Sequence, residues 1–195
     1  MLKNKFYPIL EDMVELSPGV LLIAEPFLKD PNFMRTVVLL CDYQEEGSFG
    51  FVLNKHFKYT LDELIPELEG RKIPVYAGGP VQADTLHFLH TCPEKLPGSH
   101  EISDGIYWGG DFEIMKSLLI KGELDEDVIR FYVGYSGWDY QQLNDEMKNK
   151  SWMTAKATRR LVFHSKAEEV WKDALRLLGG EYVMMTNFPT DPQLN

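Results

Sequence analysis

Three glycine-bearing corners constrain this chain more than any other feature. Tyr76-Ala-Gly-Gly-Pro-Val81, Tyr107-Trp-Gly-Gly-Asp-Phe112 and Gly134-Tyr-Ser-Gly-Trp138 each close a short run of residues that favour strands. Glycine at such ends admits positive φ and lets a second backbone approach closely. A fourth unusual segment, Pro26 to Arg35, joins two of the runs.

The strand signals are short, β-branched and bounded by turn residues. They cover Val20–Ala24, Thr36–Cys41, Phe49–Asn54, Ile73–Ala77, Thr85–Thr91, Ile106–Trp108, Ile129–Tyr135 and Tyr182–Met185. Glu45-Glu46-Gly47-Ser48 makes the second and third a hairpin. Helices are marked by their starts. Thr60-Leu-Asp-Glu63 and Ser165-Lys-Ala-Glu168 are capping boxes, the second leading into Val170, Ala174 and Leu177 and stopping at Gly179. Asp111 is placed to cap a helix with Phe112, Met115 and Leu119 on one face, and Asp139 precedes a stripe of Tyr140, Leu143 and Met147. Leu2, Phe6, Ile9, Leu10 and Met13 also fall at helical spacing. Strands come in blocks as well as alternating with helices, which predicts α+β: one compact domain over 1–195 with a curled, largely antiparallel or mixed sheet, barrel-like and surrounded by helices.

The 195 residues suit one domain, and 44% are apolar, enough for a core. The longest apolar runs, Val20–Ala24 and Val37–Cys41, fall far short of the roughly twenty residues a spanning helix needs. The first residues lack the continuous apolar stretch of a signal peptide, and Cys41 and Cys92 are too few for a disulfide framework. A cytoplasmic protein is expected. The net charge of -10 gives an average field that repels phosphate backbones and anionic lipid.

Asp30-Pro-Asn-Phe33 with Arg35-Thr36, Gly50-Phe-Val-Leu-Asn54, Gly78-Gly-Pro-Val81, Leu89-His90, Gly109-Gly-Asp111, Gly134-Tyr-Ser-Gly-Trp138, Gln142-Leu143, Glu146 and Trp152 occur in that order. Together they resemble the AlgH/YqgE family of small bacterial proteins, from about Leu21 to Trp171. The resemblance implies a compact α+β fold with a small barrel-like sheet and a cytoplasmic location. It implies no established activity, and some members carry the label of transcriptional regulator.

Each chemical signal competes with a plainer reading. Gly134-Tyr-Ser136-Gly-Trp138 is similar to a nucleophile elbow, but the glycine required two places after the serine is Trp138. Ser136 is therefore expected to cap the following helix. His87 and His90 alternate onto opposite faces of a strand, so they do not share a metal; His90 and Cys92 supply two ligands where a structural zinc wants four. No metal or other cofactor is expected, and His90 is expected to be hydrogen-bonded in or near the core. Neither cysteine lies in C-x-x-C or beside basic residues, and Cys41 ends an apolar strand as an inert thiol. Asp111 stands where an anion at Gly109-Gly110 would sit, whereas Gly78-Gly79 keeps both an anion-binding and a purely geometric reading.

The preferred expectation is a noncatalytic protein that binds a protein partner or small ligand in a regulatory role. Its surface is placed at Asn54, Gly78, Gly79, Gly109, Gly110, Ser136 and Trp138. Tyr107, Trp108, Tyr132, Tyr135 and Trp152 lie close by, as the walls of a recessed patch where the three corners converge. One alternative is a hydrolase or transferase using Ser136 or His90 with Asp111 or Glu146. Another is a DNA-bound regulator using Lys148, Lys150, Lys156, Arg159 and Arg160, the one basic cluster, although no helix-turn-helix or RNA-recognition pattern accompanies it.

Overall fold

The computed structural model describes residues 13–188. The helical spacing read over Leu2 to Met13 lies almost wholly outside them. Val20–Ala24 forms β1, Val37–Gln44 β2, Gly47–Val52 β3, Val75–Ala77 β4 and Val81–His90 β5. Ser99–Ser103, Ile106–Gly109, Ile129–Trp138 and Trp152–Lys156 follow as β6 to β9. The helices are α1 at Leu61–Leu64, α2 at Phe112–Lys121, α3 at Tyr140–Lys148, α4 at Arg159–Val162, α5 at Ala167–Leu178 and α6 at Tyr182–Met185.

All nine strands join one sheet in the order β6-β7-β5-β8-β3-β2-β1-β9, with β4 added parallel to β8. The other pairings are antiparallel, and the sheet curls into a half-barrel within a single α+β domain. Side chains alternate between the two faces of a strand. Leu21, Ile23, Val37 and Leu39 enter the inner core with Val170, Trp171, Ala174 and Leu175 of α5. Leu22, Ala24, Val38 and Leu40 enter the outer core with Leu143 of α3 and Trp152. Burial on both faces is why β1 and β2 read as unbroken apolar runs. A third core places Phe88, Ile129, Phe131 and Val133 against Leu61, Met115 and Leu119.

The Asp111 cap forms, its carboxylate accepting the Ile114 N–H at 2.9 Å, and so does the Thr60–Glu63 box. The Ser165–Glu168 box does not. Lys166 is the cap of α5, and its own N–H donates to His164 Nδ1 at 3.0 Å. Val170 and Ala174 are buried as expected, but Leu177 is exposed. Tyr182–Met185 is helix, not strand, docked on α5 after the Gly179-Gly180 break. Two strands, β6 and β9, escaped the sequence reading.

Candidate functional site

The seven residues expected to share one surface separate into distinct settings. Gly78 and Gly79 wedge between β3 and β8. Gly78 N–H donates to Val133 O at 2.9 Å, and Gly78 O accepts Val52 N–H at 2.8 Å and Ser136 Oγ at 3.1 Å. A Cβ on Gly79 would lie 2.2 Å from Tyr135 C and 2.3 Å from Ser136 N. This corner is therefore packed backbone, which corrects the anion-binding alternative there. Ser136 is fully buried inside β8 rather than at a helix start, and the cap of α3 is Asp139, which accepts Gln142 N–H at 2.7 Å.

Asn54 pins two segments together, its Oδ1 accepting Val37 N–H and its Nδ2 donating to Arg35 O, both at 2.9 Å. Gly109 and Gly110 lie at the other end of β5 from Gly78-Gly79, against His90, Leu96 and Pro97. Trp138 buries its indole in the outer core, where its Nε1 donates to Glu146, and it also borders the cleft described below. The three corners thus do not converge on one patch. Backbone close approach, which glycine permits, is a packing signal and carries no information about which face is open.

The reactive constellations are not assembled either. His90 is buried with both ring nitrogens engaged: Nε2 meets Gly109 O at 3.0 Å, and Nδ1 accepts Cys92 N–H at 3.2 Å. Those two bonds define the neutral tautomer protonated at Nε2, and burial lowers the affinity of the ring for a second proton. Burial also raises the thiols of Cys41 and Cys92, so both stay protonated. Among the described residues no group of three His, Cys, Asp or Glu side chains is placed to hold a metal ion. In the basic cluster, Lys148 pairs with Asp145 at 2.9 Å and Arg160 approaches Asp173 at 3.8 Å. Arg159 Nε donates to Asp104 O at 3.2 Å.

The aromatic residues do build a cleft, at the end of the half-barrel next to the β2–β3 hairpin. It has a volume of about 670 Å³ and is lined by Phe49, His87, Trp108, Tyr135 and Trp138, with Ser48 and the Gln82 bulge at its side. Phe49 stands at the centre, its ring 5.0 Å from Trp108 and 6.0 Å from Tyr135, both edge to face. His87 closes the floor, 6.0 Å from Tyr135 and 5.3 Å from Phe51. Burial holds its imidazole below the usual histidine range, so the ring is neutral at neutral pH. His87 Nε2 and Ser48 Oγ are buried and have no hydrogen-bond partner among the described residues. Asp42, Glu46 and Asp139 line the same cleft, and no lysine or arginine does.

Tyr135 reaches the cleft because Ser136 beside it turns inward to Gly78; the glycine corner supports the wall without being part of it. Trp138, a residue of the expected surface, and Trp108 and Tyr135, read as neighbours of the corners, all border the cleft. Phe49, His87, Asp42 and Ser48 were not placed there, because they come from strands far apart in the chain. The strand alternation that set His87 opposite His90 was the available signal. Arg130 was also missed. It is buried in β8, with its Nη2 donating to His164 O, its guanidinium carbon 4.6 Å from the Tyr76 ring centroid, and no carboxylate paired with it among the described residues. A cation within the apolar run Ile129–Val133 was the clue.

A curled nine-stranded sheet packed on α5, with an aromatic cleft at one end, defines a small α+β protein built around a recess. The AlgH-like family model matches residues 21–183, and the chain belongs to that family. A UPF0301 protein of Chlorobium limicola is 42% identical over 181 residues, covering 93% of this chain and 97% of that one. One from Bacteroides thetaiotaomicron is 39% identical over 193 residues, covering 98% of each. The solution structure of the AlgH protein from Pseudomonas aeruginosa superposes with a TM-score of 0.71 at 27% identity, over 91% of this chain and 98% of that one. A crystal structure of a Corynebacterium diphtheriae protein shares the fold, with a TM-score of 0.76 at 22% identity over 90% and 94% of the two chains.

Proposed function

We propose that this AlgH-like protein is a noncatalytic binding protein of the cytoplasm, and that its aromatic cleft takes a small ligand in a regulatory role. The observation that carries the reading is the aromatic lining of the recess: Trp108 and Tyr135 meet Phe49 edge to face, and the half-buried His87 ring packs against Phe51, Trp108 and Tyr135 beneath them. The volume falls in the range of small-molecule sites, which are mostly apolar with a few polar groups that fix orientation. Binding without chemistry is supported by Ser136 Oγ, engaged with a carbonyl rather than an imidazole, and by His90, whose nitrogens are both occupied. Two free buried thiols support a reducing compartment.

A fragment screen followed by protein-observed NMR tests this. Hits are expected to shift the indole N–H of Trp108 and the ring signals of His87 and Tyr135 together, and Trp108→Ala is expected to weaken them at least about tenfold. Hits that cluster elsewhere, or hits insensitive to Trp108→Ala, would remove the reading.

A further inference from the structure

The cleft joins two features that are independent in origin. Its walls are π faces and edges: Phe49, Trp108 and Tyr135 come from three different strands, β3, β7 and β8, and meet within 6.0 Å of one another through Phe49. Its charged lining residues are all of one sign. Asp42 comes from β2, Glu46 from the hairpin turn and Asp139 from the start of α3. Asp42 uses Oδ1 for Tyr43 N–H and Gln44 Nε2, and Asp139 uses Oδ1 for Gln142 N–H. A carboxylate oxygen has more than one lone pair and each group has a second oxygen, so acceptor capacity remains on both.

The strand registers set the Ser48 side chain on the face of Tyr43 and Trp138, opposite Phe49, and His87 Nε2 is buried, so the polar groups a ligand meets are the carboxylates. Aromatic faces attract cations, strongly so where water is partly excluded, and repel anions. The recess therefore offers acceptors, negative charge and π density, and no cationic side chain to meet an anion.

We infer that the occupant is a small organic cation, an ammonium or guanidinium carried on an aromatic or apolar body. The inference rests on the reading of the cleft as a ligand site. In it, the flat body packs among Phe49, Trp108 and Tyr135, while N–H groups of the cation reach the carboxylates of Asp42, Glu46 and Asp139 at the mouth. Neutral analogues lose the charge interaction and keep the packing; anionic ones meet three carboxylates.

Three probes of nearly one shape separate these contributions: benzylamine, benzyl alcohol and benzoate, titrated into the full chain at low salt while the Trp108 indole N–H is followed by NMR. Benzylamine is expected to bind about fivefold or more tighter than benzyl alcohol, with benzoate weakest. Raising the salt is expected to narrow the gap. The variant D42N/E46Q/D139N is expected to bring benzylamine down to the level of benzyl alcohol, and to change benzyl alcohol, which carries no charge, much less. Asparagine also caps helices, so α3 keeps its start; Glu46→Gln and Asp139→Asn alone serve as milder versions should Asp42→Asn unfold the hairpin. Equal or tighter binding of benzyl alcohol or benzoate at the cleft would overturn the cation inference and leave the cleft a ligand site. Failure of all three probes, with fragments of other kinds also leaving Trp108 unmoved, would overturn both.

Discussion

One carboxylate oxygen of Glu146 accepts the indole N–H of Trp152 at 2.7 Å and that of Trp138 at 3.0 Å. The two rings are buried and meet edge to face at 6.1 Å. Glu146, weighed from sequence as a catalytic carboxylate, is the clasp that holds α3 onto the ends of β8 and β9. Glu146→Ala strands two buried donors, each costing about 1–3 kcal/mol, so a loss of about 2–4 kcal/mol is expected in urea titrations. Glu146→Gln keeps an oxygen acceptor and is expected to lose about half as much. A Glu146→Ala protein within 0.5 kcal/mol or so of the parent, the spread of ordinary surface changes, would show that the clasp does not matter.

His90 sets a pH dependence. Burial depresses its pKa in the folded chain, while the unfolded value stays at about 6.5. Above about pH 6.5 both states hold it neutral and its contribution is fully present. Below that, the unfolded chain takes up the proton first, so stability falls as pH drops toward the folded pKa. The limit is one proton, about 1.4 kcal/mol per pH unit. His87, shifted in the same direction by burial, adds to the slope. Urea titrations between pH 7.5 and 5.5 are expected to show this acid loss, and a flatter profile in His90→Asn. An unchanged slope in that variant would assign the loss to other groups.

The parts of the fold that were readable are those where burial leaves a mark on the chain. β1 and β2 are apolar at every inner position because both faces are covered, and Asp111 and Thr60 cap helices through local bonds that the sequence spells out. β6 was missed because Ser-His-Glu-Ile-Ser at the sheet edge faces solvent and shows no apolar pattern. Tyr182–Met185 has strand-like residues, yet four residues are too few to show a period, and packing on α5 decides for helix. The cleft was half legible. Aromatic residues near glycines announced Trp108 and Tyr135, but their partner Phe49 is joined to them only by the β3–β8 and β5–β7 registers, and β5 slips by a bulge between Val81 and Leu86.

Gly79 and Ser136 separate packing from chemistry at the corner. Gly79 sits at φ 157, with the Tyr135–Ser136 peptide where a Cβ would go. Gly79→Ala must push β8 away from the corner, and a loss above about 3 kcal/mol, or failure to accumulate folded protein, is expected. Ser136→Ala removes one donor from a carbonyl that still accepts Val52 N–H, so about 1 kcal/mol is expected, with ligand binding at the cleft retained. Thermal melts of both variants check the pair. A stable Ser136→Ala protein that loses cleft binding would return Ser136 to the site.

DNA binding would have to come from Lys148, Lys150, Lys156, Arg159 and Arg160 against a chain of net charge -10. Nonspecific affinity scales with the number of phosphates that free cations neutralise. Lys148 already meets Asp145 and Arg160 approaches Asp173, while Arg159 spends its Nε on Asp104 O and packs against Gly105. Recruiting these side chains to a duplex would break the contacts that hold three of them and bring the two acidic partners, Asp145 and Asp173, toward the phosphates. Fluorescence anisotropy with a labelled mixed-sequence duplex at 50 mM salt is therefore expected to show no binding at protein concentrations up to about 10 µM, a concentration within the roughly 1–100 µM range where nonspecific binders respond. Saturable binding that falls steeply with salt and is abolished by R159Q/R160Q would place a nucleic-acid surface there, despite the sign of the overall field.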